Sequence, residues 1–205
     1  MTLARAGAQS PWAGVLSCLR VQGDLRIASA LARREHALLA RLDSSVSELP
    51  DKLEAIRAAE RAFAALGVGH ALIGGLAVGV RSGVPRATLD VDYAIPTTAD
   101  RDQVASAFAA HELALTGTFA HSMNFMHTSG EPVQLAADAR FDAMILRAEA
   151  LSFGDLIVPV VTTADLIAMK RLAAADPARR RSKALRDQAD IALLEGDVPE
   201  PGEGW

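Results

Sequence analysis

"GGLAVGVRSGVPRATLDVDYAI", residues 74–95, is the stretch on which the reading turns. Two glycines open it, and Asp90 and Asp92 stand one residue apart near its end, inside a run otherwise made of Leu89, Val91, Tyr93, Ala94 and Ile95. On an extended strand alternate residues face the same way. Asp90 and Asp92 then share one face, and Leu89, Val91 and Tyr93 the other. Their Cα atoms are expected ~6–7 Å apart. Carboxylates at that spacing can converge on one divalent cation or bracket two. Left unpaired on a half-buried strand they would repel, and one would take up a proton. Mg²⁺, which prefers oxygen ligands, removes that cost. The competing reading is structural: Arg81 and Arg86 supply two buried salt bridges, or else they neutralise phosphate.

Gly74 and Gly75 follow the apolar "HALI" (70–73), a short buried strand, and lead into a helix running to about Arg81. A strand that turns directly into a helix aims backbone N–H groups and the positive end of the helix dipole at whatever anion sits there. Without Cβ atoms the two glycines also let a phosphate approach closely. Oxygen-bound metal beside a phosphate cradle describes a nucleoside triphosphate site.

Outward from this stretch, Asp51–Leu66 reads as a helix with Ile56, Ala59, Phe63 and Leu66 on one face and Gly67 as its stop. Residues 87–95 read as a strand ended by Pro96, and Thr98–Ala110 as a helix. "GTFAHSMNFMH" and "EPVQLAA" flank "TSGE" as a β-hairpin. Phe141–Leu151 is expected to be helical and 155–161 a buried strand. Thr162 with Asp165 opens a further helix by a capping-box pattern, and the last helix runs from Ser182 to Glu195. The expected fold class is α/β (α+β), a small mixed β-sheet flanked by helices. Residues 1–48 form an N-terminal extension, partly disordered and partly helical (24–42). Residues 49–196 form the domain, and 197–205 a frayed tail.

Half of the 205 residues are hydrophobic and 22% are charged, the composition of a globular chain with a real core. A net charge of −4 argues against gripping nucleic acid by bulk electrostatics, although Arg179, Arg180, Arg181, Lys183 and Arg186 form a local basic run. The single cysteine, Cys18, allows no intramolecular disulfide and no thiolate cluster, so a cytoplasmic setting is expected. The uncharged stretch Ala62–Val80 approaches membrane-spanning length, but its glycines and His70 break it, and no membrane association is expected.

The strand, Gly-Gly helix start and Asp-x-Asp strand resemble the nucleotidyltransferase superfamily with the DNA-polymerase-β-type catalytic fold. The spelling is most similar to the AbiEii/AbiGii-type nucleotidyltransferase toxins and their uncharacterised relatives, which read Gly-Gly…Arg-x-Thr-x-Asp-Ile-Asp. Arg86, Thr88, Asp90 and Asp92 match that pattern position by position. "TTADLIAMKRL" and "KALRDQADIALL" resemble the family's C-terminal block, covering with the first about residues 51–196. The resemblance implies a polymerase-β-like core with C-terminal helices, with Asp90 and Asp92 as metal ligands. It implies Gly74, Gly75, Arg86, Thr88 and Lys170 at the nucleotide, and Asp187, with Asp190 beside it, on the active-site face. By the same resemblance the cofactor is Mg²⁺, the substrate an NTP, the acceptor RNA or protein, and a cognate antitoxin the partner. The family commonly carries a third carboxylate on the neighbouring strand, where this chain has Gln134. Two other readings stand beside the toxin-like enzyme. One is an antibiotic-modifying nucleotidyltransferase, which would need an acidic pocket, with Glu112, Glu131 and Asp138 available. The other is a catalytically weakened relative that only binds nucleotide or a partner.

Overall fold

The computed structural model describes residues 52–153 and 155–198. The expectations for residues 1–48 and for the last seven residues lie outside the described part. The helices are α1 (Lys52–Leu66), α2 (Gly74–Ser82), α3 (Arg101–Ala110), α4 (Ala139–Leu146), α5 (Thr163–Ala175) and α6 (Arg181–Leu194). The strands are β1 (Ala71–Ile73), β2 (Val91–Ala94), β3 (Leu113–Phe119), β4 (Ser122–His127), β5 (Pro132–Ala136), β6 (Glu149–Phe153) and β7 (Leu156–Val160). They form one mixed sheet in the order β3-β4-β5-β2-β1-β7-β6, with β2–β5 and β1–β7 parallel and the other pairs antiparallel. The fold is mixed α/β with a seven-stranded sheet, the expected class.

Strand alternation divides the sheet. Val91, Tyr93, Val133, Leu135, Met123 and Phe125 are buried on one side. The helices α1 and α3 cover that side with an aromatic cluster: Phe63 lies 5.2 Å from the Tyr93 ring and 5.1 Å from Phe108, and Phe108 lies 4.7 Å from Phe125. Edge-on and tilted ring pairs of this kind add to simple area burial. The Tyr93 hydroxyl donates to Glu60 at 2.8 Å, which satisfies the one polar atom that the tyrosine carries into the core. Asp92, of opposite parity, turns to the other side, where α2, α5 and α6 pack on one another.

Two expected elements differ. The helix expected over 141–151 ends at Leu146, and Glu149–Phe153 is an edge strand paired with β7. Ala150 and Ser152 give no helix-breaking signal, so a partner distant in space, not local propensity, decides that segment. The expected hairpin between β4 and β5 is present, with Phe125 opposite Val133, and Gly130 at φ 81° closes its turn. It extends into a three-stranded meander because β3 reverses into β4 through Ala120-His121, a turn without Gly or Pro. Only Leu113 of β3 is buried, which is why the strand carries almost no hydrophobic alternation.

The N-terminus of α1 is tied to the sheet by a buried ion pair, Lys52 with Glu131, each 1% exposed. Lys52 Nζ also donates to the Leu89 carbonyl at 3.1 Å, next to Asp90. Removing one charge of a buried pair leaves the other without compensation, at about 3–5 kcal/mol, whereas replacing both by apolar groups of similar size is often near neutral. Glu131→Ala should therefore unfold at markedly lower urea concentration. Lys52→Met/Glu131→Leu should recover most of the loss; a double variant as unstable as the single would refute this reading of the pair.

Candidate active site

At the end of β1 the chain passes through Gly74, at φ 70°, straight into α2, and among the described residues no side chain caps the helix start. The unpaired N–H groups of that first turn face the same neighbourhood as the Asp-x-Asp segment, because Ile73 is the register partner of Asp92. A Cβ on Gly74 would collide with the Asp92 carboxylate, and one on Gly75 with the Arg86 guanidinium and Thr88. The glycines are thus required by the site's own side chains. The expected phosphate cradle at Gly74 is partly filled by the Asp92 carboxylate.

Asp92 lies in β2, whereas Asp90 lies one residue before it; the strand expected over 87–95 is ordered as strand only at 91–94. Asp90 is held instead by Thr88, whose hydroxyl donates to Asp90 Oδ1 at 3.2 Å. Burial first, and then the neighbouring Asp90 charge, raise the Asp92 carboxyl; Lys170, Arg86 and Lys52 pull it back, and the balance leaves it at about 7. That is the electrostatic mark of a carboxylate pair short of positive charge.

The residues matched in the C-terminal block also converge here. Lys170 on α5 reaches Asp187 Oδ1 at 3.0 Å and Asp190 Oδ2 at 2.7 Å, both on α6. The second contact is an ion pair without hydrogen-bond geometry. Arg86 pairs with Asp190, and Arg179 with Asp187 at 2.5 Å. Asp187 and Asp190 are 2% and 1% exposed. Burial works to raise the Asp187 carboxyl, but the Arg179 and Lys170 hydrogen bonds outweigh it and hold the group below the usual carboxylate range. This network joins α5 and α6 to the segment that leads into β2, and it presents Lys170 and Arg86 to the field at Asp92. Arg81 takes no part: it donates to the Val160 and Val161 carbonyls at 2.9 Å and pairs with Glu149.

Gln134 on β5 is the register partner of Asp92, the place expected for a third carboxylate, and Asn124 on β4 is the partner of Gln134. The sheet face therefore carries a row of one acid and two amides. Asn124 Oδ1 is buried without a hydrogen-bond partner among the described residues. Lys52 and Asn124 escaped the sequence reading, since a lone lysine at a helix start and an asparagine in a hairpin carry no signal of a site. Among the described residues, no three His, Cys, Asp or Glu side chains cluster as a metal cage. Two carboxylates still fit Mg²⁺, which commonly binds through one or two acids while substrate phosphates and water complete its shell.

A scan against protein-family models finds no match, and a search of curated proteins finds none. Solved structures do match. The crystal structure of ANT(2'')-Ia in complex with adenylyl-2''-tobramycin aligns with a TM-score of 0.51 at 16% identity, over 69% of this chain and 88% of that one. The lincomycin-bound lincosamide antibiotic adenylyltransferase LnuA aligns with a TM-score of 0.52 at 13% identity, over 72% and 98%. At such identities the likeness is one of fold, and this chain has the fold of those nucleotidyltransferases.

The Asp92 shift carries a sign. Its folded value of about 7 lies above the ordinary 3.8, so the folded protein binds more protons between these limits. Without metal, this group lowers stability progressively as pH rises from about 4 to 7, and the penalty is complete above 7. Solvent still reaches part of the residue, so the penalty expected from about 1.36 kcal/mol per pKa unit is discounted to roughly 1–3 kcal/mol. Asp92→Asn should therefore melt several degrees above wild type at pH 8 without metal, with the gain vanishing at pH 4. A variant less stable than wild type at pH 8 would contradict this electrostatic account.

Proposed function

We propose that this chain transfers a nucleotidyl group from an NTP to an acceptor hydroxyl, with Mg²⁺ held by Asp90 and Asp92. The observation that carries the reading is the Asp92 carboxylate, half-buried beside Asp90 and short of positive charge, on the fold of solved nucleotidyltransferases. In the reaction the acceptor oxygen forms a bond to the α-phosphorus and the bond to the β-phosphate oxygen breaks. Pyrophosphate leaves, and the hydroxyl proton passes to solvent. Bound Mg²⁺ would neutralise phosphate charge. The uncapped start of α2 would face the phosphates with N–H groups. Lys170 has three donors, one of them given to Asp187, and it would offer another to an outer phosphate. Arg86 and Thr88 act on the site by position: Arg86 anchors Asp190, and Thr88 holds Asp90.

The finer reading is a toxin-like enzyme acting on RNA or protein beside a cognate antitoxin, supported by the match of Arg86, Thr88, Asp90 and Asp92 to the AbiEii-type pattern. A second reading, antibiotic adenylylation, is favoured by the two solved neighbours, one in complex with adenylyl-2''-tobramycin and the other lincomycin-bound. The carboxylates open to it are engaged separately. Glu131 pairs with Lys52, Asp138 caps α4 and pairs with Arg140, and Glu112 is an exposed neighbour of His127.

Calorimetry with each NTP and Mg²⁺ tests the core of the proposal. Wild type should bind, and Asp90→Asn and Asp92→Asn should each bind at least tenfold more weakly; unaltered binding by both variants would remove the site assignment.

The Gln134 position supplies a second test. An amide can accept a hydrogen bond but has no charge and cannot act as a base near neutral pH. Two carboxylates suffice to hold the nucleotide's metal, so binding should survive while activation of the acceptor is slow. Gln134→Asp should raise labelled-NTP incorporation in a cell extract with little change in NTP affinity. A fast wild type slowed by this substitution would show that the amide is the working group.

A further inference from the structure

A cavity of about 270 Å³ opens between α4 and α5, lined by Arg140, Phe141, Met144, Met169, Leu172 and Arg179. The residues on each helix recur at three- and four-residue spacing, so each helix turns one stripe towards the space. Its volume falls just under the range of about 300–1,000 Å³ usual for pockets that enclose drug-sized ligands. One ring system fits; a large acceptor does not.

The walls select the chemistry of that ring. The Arg140 guanidinium lies 5.9 Å from the Phe141 ring centre and is held by two bonds to Asp138, at 3.0 and 3.1 Å. A guanidinium beside an aromatic ring makes a stacking platform for a flat π-system. The Met144 and Met169 thioethers favour the same partner, since sulfur packs well against aromatic rings. Arg179 and Asp176 place hydrogen-bond donors and an acceptor on the lining. Asp176 Oδ1 already accepts from the Ala178 N–H at 2.8 Å. Arg140 and Arg179 keep N–H donors beyond those given to Asp138 and Asp187, which a lipid tail could not use and a polycationic acceptor would oppose. A nucleobase, flat and edged with donors and acceptors, meets all three conditions. The cavity is also next to the phosphate side of the site: Met169 precedes Lys170, and Arg179 shares Asp187 with Lys170.

We infer that this cavity is a nucleobase pocket. The inference rests on the proposed nucleotidyl transfer for its link to catalysis, but its test does not. The base comes either from the NTP or from a nucleotide of the acceptor, and both would stack in the same way.

The chain has five methionines, so methyl-¹³C-methionine spectra of the full chain resolve Met144 and Met169 individually. Mg²⁺ with each NTP, Mg²⁺ with inorganic tripolyphosphate, and a short single-stranded oligonucleotide are the probes. A ring-current shift of both methyls with an NTP but not with tripolyphosphate assigns the pocket to the donor base; the same shift with the oligonucleotide alone assigns it to an acceptor base. Ala173→Trp, which adds a ring to the cavity wall and leaves Asp90, Asp92 and Lys170 in place, should weaken the ligand that gave the shift at least tenfold. Tripolyphosphate binding should be unchanged, which also shows that the variant is folded. The inference is overturned if no base-containing probe moves either methyl, or if Ala173→Trp binds the shifting ligand as wild type does. If the methyls shift with the oligonucleotide while calorimetry finds no NTP binding, the pocket stands and the transfer reading falls.

Discussion

The carboxylate of Asp92, pressed against the bare Cα of Gly74, is the contact from which the rest of the site follows. Strand β2 pairs antiparallel with β1, which sets Asp92 opposite Ile73 and therefore against the strand-to-helix junction. Only a residue without a Cβ leaves room there, and only glycine adopts φ 70° at little cost. The next glycine repeats the requirement against Arg86 and Thr88. Two neighbouring positions are thus closed to side chains so that three polar side chains can approach one helix start. The polar groups cost folding free energy that the aromatic cluster on the opposite sheet face helps to offset.

What could be read in advance follows from this geometry. Period-two alternation, glycine punctuation and the capping pattern at Thr162 are local features, and they located α1, β1, α2, the β4–β5 hairpin, α5 and α6. The pair Asp90 and Asp92 stood out because charge in an apolar run conflicts with local propensity, and such conflict is expected at functional sites. Strands β3 and β6 were illegible because both are edge strands, mostly exposed, whose identity comes from a partner elsewhere in the chain. The split of the 87–95 segment was illegible too: Asp90 lies before the strand and is held by Thr88, while Lys52 holds the Leu89 carbonyl beside it. The pairing of Lys170 was legible from the acids' side. Spacing alone leaves a helix lysine as free to extend to solvent as to reach inward. Acids on a core-facing stripe demand cations, and Lys170 or an arginine is the obvious one for Asp187 and Asp190.

The two pairs of acids can then be compared within one molecule. Asp187 and Asp190 are almost closed to solvent, yet Asp187 is held below the usual carboxylate range, because Arg179 and Lys170 bond to it directly. Asp92 is shifted the other way, although Lys170, Arg86 and Lys52 all lower it from a distance. Burial raises both carboxyls; at Asp187 the cations that touch the carboxylate outweigh it, and at Asp92 it prevails. The chain spends Arg86, Lys170 and Arg179 on the α6 acids and leaves none in contact with Asp92. Moving even one of these cations to Asp92 would lower its carboxyl towards the ordinary range. Among the described residues no cation touches Asp92, which is the costly arrangement, and carboxylates perturbed in this way cluster at functional sites.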